Sequence, residues 1–229
     1  MRHGKYRISA RITALFLSIV MIFSLFAAEV SAEGEKEEEV SFAVISGLYY
    51  VAETNRGGYN EAFLLDARAN GYQYENIDSI LDSAFDSLKA RVENEGLRYL
   101  FINGPLTYSG EYSNHAAVAK MLNKLEEETG VNVAVSFAGS DVNSTTASSF
   151  AQGKRVTVTP ATSSQIKTLY ASLGFDLADS VYDKYSQSTA GLSYAFDIGK
   201  SMRVIVLDAS CYEYVDGYTK VSGKHNNSH

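Results

Sequence analysis

Between residues 76 and 95, Ile77, Ile80, Leu81, Ala84, Phe85, Leu88 and Val92 recur at intervals of three and four. That is the spacing of one apolar helix face. Asn76 stands where an N-cap is expected and Gly96 where a helix stops. A second helix is predicted from Ser113 as its cap, with Val118, Met121, Leu122 and Leu125 on one face and Gly130 as its end. Residues 162–173 read as a third helix, closed by Gly174. Between these lie short apolar runs of strand length. Residues 41–51 carry Phe42, Val44, Ile45, Leu48 and Tyr50, residues 97–103 end in Gly104-Pro105, and residues 131–137 follow Gly130. Residues 192–198 and 202–209 are separated by Gly199-Lys200-Ser201 and read as an antiparallel hairpin. Residues 55–74, polar, Gly-bearing and Tyr-rich, read as a loop, and residues 143–159 as a polar Ser/Thr stretch.

The order β-α-β-α-β predicts an α/β fold with parallel strands joined by right-handed helical crossovers. The hairpin that follows predicts the start of a second sheet.

The N-terminus changes the charge. Arg2, Lys5, Arg7 and Arg11 precede an apolar stretch over residues 12–28, and Val30-Ser31-Ala32 offers small residues at a signal-peptidase site. Residues 1–32 therefore read as a signal peptide cleaved after Ala32, which implies a secreted or cell-surface protein. An uncleaved leader would be the one contact with a membrane. The chain is −7; removing a leader with four basic residues and Glu29, net +3, leaves −10. Such a charge disfavours nucleic acid, and no basic aromatic groove is visible. Residues 33–40 read as an acidic linker, 41–215 as the folded domain and 216–229 as a polar tail. Cys211 is the sole cysteine, so no internal disulfide can form; it follows an apolar run and reads as a core residue. The chain has 16 Tyr and no Trp. Exposed Tyr would suit a peptide, glycan or cell-wall ligand, whereas Tyr at core positions is the commoner use.

Three segments carry a family resemblance: Val44-Ile45-Ser46-Gly47-Leu48-Tyr49, Asn103-Gly104-Pro105-Leu106-Thr107 and Ala138-Gly139-Ser140-Asp141-Val142-Asn143. Their order and spacing resemble the metal-binding loops of calcineurin-like metallophosphoesterases, which read ISDxH, GDLT and GNHD-x-N. Weaker pieces run through residues 106–111 with Ser113 and His115, residues 158–160, 192–194 and 206–208. The chain resembles a bacterial exported branch of that family. The resemblance implies an αββα sandwich, here with an incomplete second sheet, and a two-metal site on the strand ends.

The ligand positions themselves depart from the pattern. Gly47 stands for the first Asp, Tyr49 for the first His, Pro105 for the bridging Asp, and Gly139 and Ser140 for the Asn and His of the third loop. A phenol with a pKa near ~10 is a poor ligand for a hard divalent ion at neutral pH. Beyond residue 32 the histidines are His115, His225 and His229, and the family's later His motifs are absent. Two divalent ions would serve the family reaction by clamping phosphate oxygens and activating water; here no cofactor is expected.

Thr107, His115, Asp141, Asn143 and Asp208 remain as candidates for gripping a ligand in the same cleft. Three have a plainer alternative: an exposed or capping histidine for His115, and turn chemistry for Asp141 and Asn143. Three functions stay open. One is a catalytically impaired metallophosphoesterase-like protein that binds a small molecule, cell-wall material or a protein. The second is an active metal-dependent phosphoester hydrolase. The third is a non-functional truncated fragment.

Overall fold

The computed structural model describes residues 39–182 and 191–208. The expected leader and cleavage site, most of the expected acidic linker, Cys211, His225, His229 and the expected polar tail lie outside these residues.

Three parallel strands form the first sheet: β1 (Phe42–Ser46), β2 (Tyr99–Asn103) and β3 (Asn132–Ser136), in that spatial order. Phe42 pairs with Tyr99 and Tyr99 with Asn132, so the strands run in register. Two long helices supply the crossovers, α3 (Ile77–Glu95) and α4 (Tyr112–Thr129). Gly96 and Gly130 end them in the left-handed conformation, as expected.

Two short helices lie where a loop was expected, α1 (Glu53–Arg56) and α2 (Glu61–Ala69). Asn60 caps α2 by accepting from Phe63 N–H at 3.1 Å, and Phe63 and Ala67 bury one side four residues apart. Helices this short leave too few apolar repeats to read among the Tyr and Gly around them. Three boundaries also move. β1 stops at Ser46 because Gly47 and Tyr49 take positive φ, of 67° and 45°. Glu111, not Ser113, precedes α4; Ser113 lies in its first turn and its Oγ accepts from Asn55 Nδ2 at 2.6 Å. The third expected helix is shorter, α5 (Ser163–Leu169), with Thr162 and Gln165 forming a capping box.

The polar Ser/Thr stretch contains a small hairpin, β4 (Ser148–Ser149) with β5 (Val156–Thr157). The expected later hairpin is present as β7 (Ser193–Ile198) and β8 (Met202–Val206), joined antiparallel by a strand the sequence did not suggest, β6 (Ser180–Tyr182).

Alternation places each face of the first sheet against a different layer. Leu100, Ile102, Val133 and Val135 pack with Leu81, Phe85 and Leu88 of α3, Val118, Leu122 and Leu125 of α4, and Ile166 and Tyr170. On the opposite face, Tyr99, Phe101 and Ala134 meet Tyr194, Phe196 and Ile198 of β7 and Met202, Val204 and Val206 of β8. The described chain is thus layered helix, parallel sheet, antiparallel sheet. Each fully buried Leu or Val contributes roughly 1.5–3 kcal/mol. The ends of β2 and β3 are therefore held from both sides.

Candidate functional site

The loops leaving β1, β2 and β3 are bound edge to edge by their own backbones. Gly47 N–H donates to Asn103 O at 2.9 Å and Gly104 N–H to Ser136 O at 3.0 Å. Tyr49 N–H reaches Pro105 O at 3.2 Å and Tyr50 N–H reaches Leu106 O at 2.9 Å. The sheet's pairing continues past the strand ends, so the three resembling segments come together as the sequence implied.

Asp141 fastens them. Its carboxylate is fully buried and accepts from Leu106 N–H at 3.0 Å, Thr107 N–H at 3.1 Å, Thr107 Oγ1 at 3.2 Å and Ala138 N–H at 2.9 Å. Gly104 has no room for more than hydrogen. A Cβ there would stand 2.7 Å from Ala138 N and 2.8 Å from Asp141 Oδ2. Asp141 is spent on tying the second loop to the third.

His115 is also fully buried, which corrects the reading of an exposed or capping residue. Its Nε2 lies 2.9 Å from Asp141 O and its Nδ1 3.0 Å from the Tyr170 hydroxyl. One neutral tautomer satisfies both: Nε2–H donates to the carbonyl and Nδ1 accepts the phenol proton. Burial pushes the His115 pKa down, with Asp141 opposing, and pushes Tyr170 well up. Thr107 is buried beside them, 3.4 Å from His115 Nε2 and accepting from Gly110 N–H at 2.9 Å.

A second buried set was not legible in the sequence. Glu111 Oε2 accepts from Ser109 N–H at 3.0 Å and Asn114 Nδ2 at 2.8 Å, and its Oε1 from Ser148 N–H at 3.2 Å. Asn114 Oδ1 accepts from Ala52 N–H and Asn55 Nδ2, both at 2.8 Å. Burial raises the Glu111 pKa. The one available signal was a carboxylate and an amide on either side of a helix start.

The positions implied as metal ligands are placed as follows. Gly47 has φ +67°, and a Cβ on it would meet Tyr49 Cε2 at 3.1 Å. The Tyr49 ring therefore covers the space into which a side chain at position 47 would project. Pro105 follows a cis bond from Gly104, Gly139 is half-buried and Ser140 is exposed. These five positions offer a phenol and a hydroxyl, with no carboxylate and no imidazole, and do not fit a pair of divalent ions. Among the described residues no group of three His, Cys, Asp or Glu is placed to hold a metal ion. Asn143 has φ +49°, and its N–H donates to Ala161 O at 2.7 Å, which is turn chemistry. Asp208 follows β8 in the other sheet, its N–H donating to Ser193 Oγ at 2.8 Å.

Beside the first loop lies an aromatic group. Tyr49 and Tyr72, both half-buried, stand 4.7 Å apart, and Tyr72 is 6.0 Å from both Tyr74 and Tyr108. Phe63 and Phe150 pack beneath Tyr74 and Tyr108. Tyr108 donates to Asp66 Oδ2 and Tyr74 to Tyr49 O, each at 2.5 Å. Burial and the Tyr49 hydroxyl push Tyr72 up to about 12. Most of these rings serve a core; Tyr49 and Tyr72 are the two of this group that remain only half-buried.

No protein-family model matches the chain, and no curated protein matches it. Among the described residues no helix is long and apolar enough to cross a membrane.

Proposed function

We propose that the chain is a calcineurin-like metallophosphoesterase relative, exported from a bacterium, that has lost hydrolysis and binds a ligand or partner. The parallel sheet with helical crossovers, backed by an antiparallel sheet, supports an αββα sandwich. The observation that carries the loss of chemistry is the Tyr49 ring lying over Gly47. A ligand cannot be restored there without displacing an aromatic side chain, and Asp141 and His115 are bonded inward. What remains at the strand ends is Tyr49 with Tyr72, suited to stacking on a sugar ring or a peptide side chain.

A chain without function of its own is a second reading, favoured by the apolar surface that the described residues leave open on β1, where Phe42 and Val44 are exposed. The deciding experiment measures metal content after loading with Mn²⁺, Zn²⁺ or Fe²⁺, together with hydrolysis of aryl phosphate mono- and diesters. The expected result is a folded protein with neither bound ion nor turnover. Two tightly held ions with metal-dependent turnover would restore the hydrolase. An aggregated product would favour the second reading.

A further inference from the structure

The sequence holds two Asn-Gly steps, Asn70-Gly71 and Asn103-Gly104. At such a step the backbone nitrogen attacks the preceding side-chain amide most readily, because glycine places no Cβ in the way. The fold treats the two steps oppositely. Asn103 ends β2 in the middle of the parallel sheet, paired with Ser46 on one side and Ser136 on the other. Gly104 N–H donates to Ser136 O at 3.0 Å, and a Cβ on Gly104 would stand 2.7 Å from Ala138 N. Freeing that nitrogen means opening the strand ends that Asp141 ties together. Asn70 and Gly71 are both exposed, at the C-terminal end of α2. Gly71 has φ +82°, and among the described residues nothing lies within 4 Å of a Cβ built on it. Its N–H donates to Arg68 O at 3.0 Å, a bond of the helix's last turn. Fraying of one exposed helix end is enough to release it, and such openings lie at the low end of local stability.

We propose that Asn70 is a site of spontaneous deamidation, with water as the only co-reactant. The Gly71 nitrogen attacks Asn70 Cγ, its proton leaves with Nδ2 as ammonia, and a five-membered succinimide closes. Water then opens either carbonyl. One product is an aspartyl residue with the original backbone, the other an isoaspartyl residue whose chain runs through the side-chain carbons. The amide that is lost holds this corner of the fold. Its Nδ2 donates to Asp66 O at 2.8 Å and to the Tyr108 hydroxyl at 3.2 Å, and lies 3.4 Å from Asp66 Oδ2. A carboxylate in its place donates nothing and stands against the Asp66 carboxylate, which already accepts the Tyr108 proton and pairs with Arg155. Deamidation therefore loosens the end of α2 and the Tyr108 ring, which lies 6.0 Å from Tyr72. The change is one-way and needs no enzyme, so it accumulates with the age of the chain.

The test is peptide mapping by mass spectrometry after ageing the purified chain in ¹⁸O-water at mildly alkaline pH, once folded and once in urea. No variant is needed, because the unfolded chain calibrates the chemistry of both steps. In urea Asn70 and Asn103 should both convert. In the folded chain Asn70 should convert roughly tenfold faster than Asn103 or more, because the reaction follows the population of local openings. Label at position 70 shows that conversion happened during ageing and not during work-up. A folded chain that keeps both amides while the unfolded chain loses them would overturn the proposal, as would Asn103 reacting as fast as Asn70. The converted form carries an added negative charge and separates on an anion exchanger. Its amides should exchange faster over residues 66–74 and at an unchanged rate in β2 and β3. Equal exchange over residues 66–74 would overturn the assignment of the Asn70 amide as what holds this corner.

Discussion

Asp141 shows how position in a loop can mislead about role. It lies beyond a strand end in an α/β sheet, where ligands bind. Its oxygens nevertheless face three backbone N–H groups and the Thr107 hydroxyl. Asp141→Asn would turn an amide NH₂ toward those donors. The expected cost is about 2–3 kcal/mol of stability, read as a lower urea midpoint with an unchanged slope. His115 gives the complementary test. Burial holds its pKa below 6.5, so below that pH the unfolded chain takes up a proton that the folded chain refuses. Its contribution is fully present above pH 6.5 and is lost as pH falls toward the depressed value. His115→Gln should flatten the stability profile below pH 6.5, measured by urea unfolding at a series of pH values. A ligand open to solvent would leave that profile unchanged.

At the scale of elements, legibility followed length. α3 and α4 are 19 and 18 residues long, and their apolar spacing repeats enough to be unmistakable. The parallel order of the strands followed from the two crossovers. α1, four residues long, and β6, three residues long, repeat nothing. Their positions are set by tertiary partners: Asn55 by Asn114 and Ser113, and β6 by pairing with β7. That the loops after β1, β2 and β3 come together was legible from their place beyond three parallel strands; that Asp141 and His115 point inward was not, because burial is decided by the neighbouring layer. Glu126 of α4 carries one such unannounced contact, accepting from Val133 N–H at 2.6 Å where β3 begins. Burial pushes it up to about 7 from 4.5, with the Val133 bond opposing and Asp176 adding. Between these values the folded state holds more proton than the unfolded one. Its contribution is present below pH 4.5 and is lost as pH rises through about 7, opposite in sign to that of His115. Glu126→Gln keeps an oxygen for Val133 and removes the proton. The difference in stability between variant and wild type should therefore change across that window. Glu111 shifts in the same direction and is common to both proteins, so it cancels in the difference.

For the whole molecule, the decisive issue is whether a metal is part of what holds the strand-end loops together. In a two-metal hydrolase it would be, since carboxylates gathered around an empty site repel one another. Here the loops are joined by backbone pairing and by Asp141, and Gly104 and Gly110 let them approach. A Cβ on Gly110 would lie 2.6 Å from Ser140 O. A site bound a thousandfold below the free metal concentration would add about 4 kcal/mol by mass action. In a domain of 150 residues or more, 1 kcal/mol moves the thermal midpoint by roughly 2–4 °C, so such a site would move it by about 8 °C or more. The expected outcome is a midpoint that agrees within measurement error in EDTA and in millimolar Mn²⁺ or Zn²⁺. A shift of several degrees on adding metal would show that the loops hold an ion after all, through residues other than those the resemblance implies.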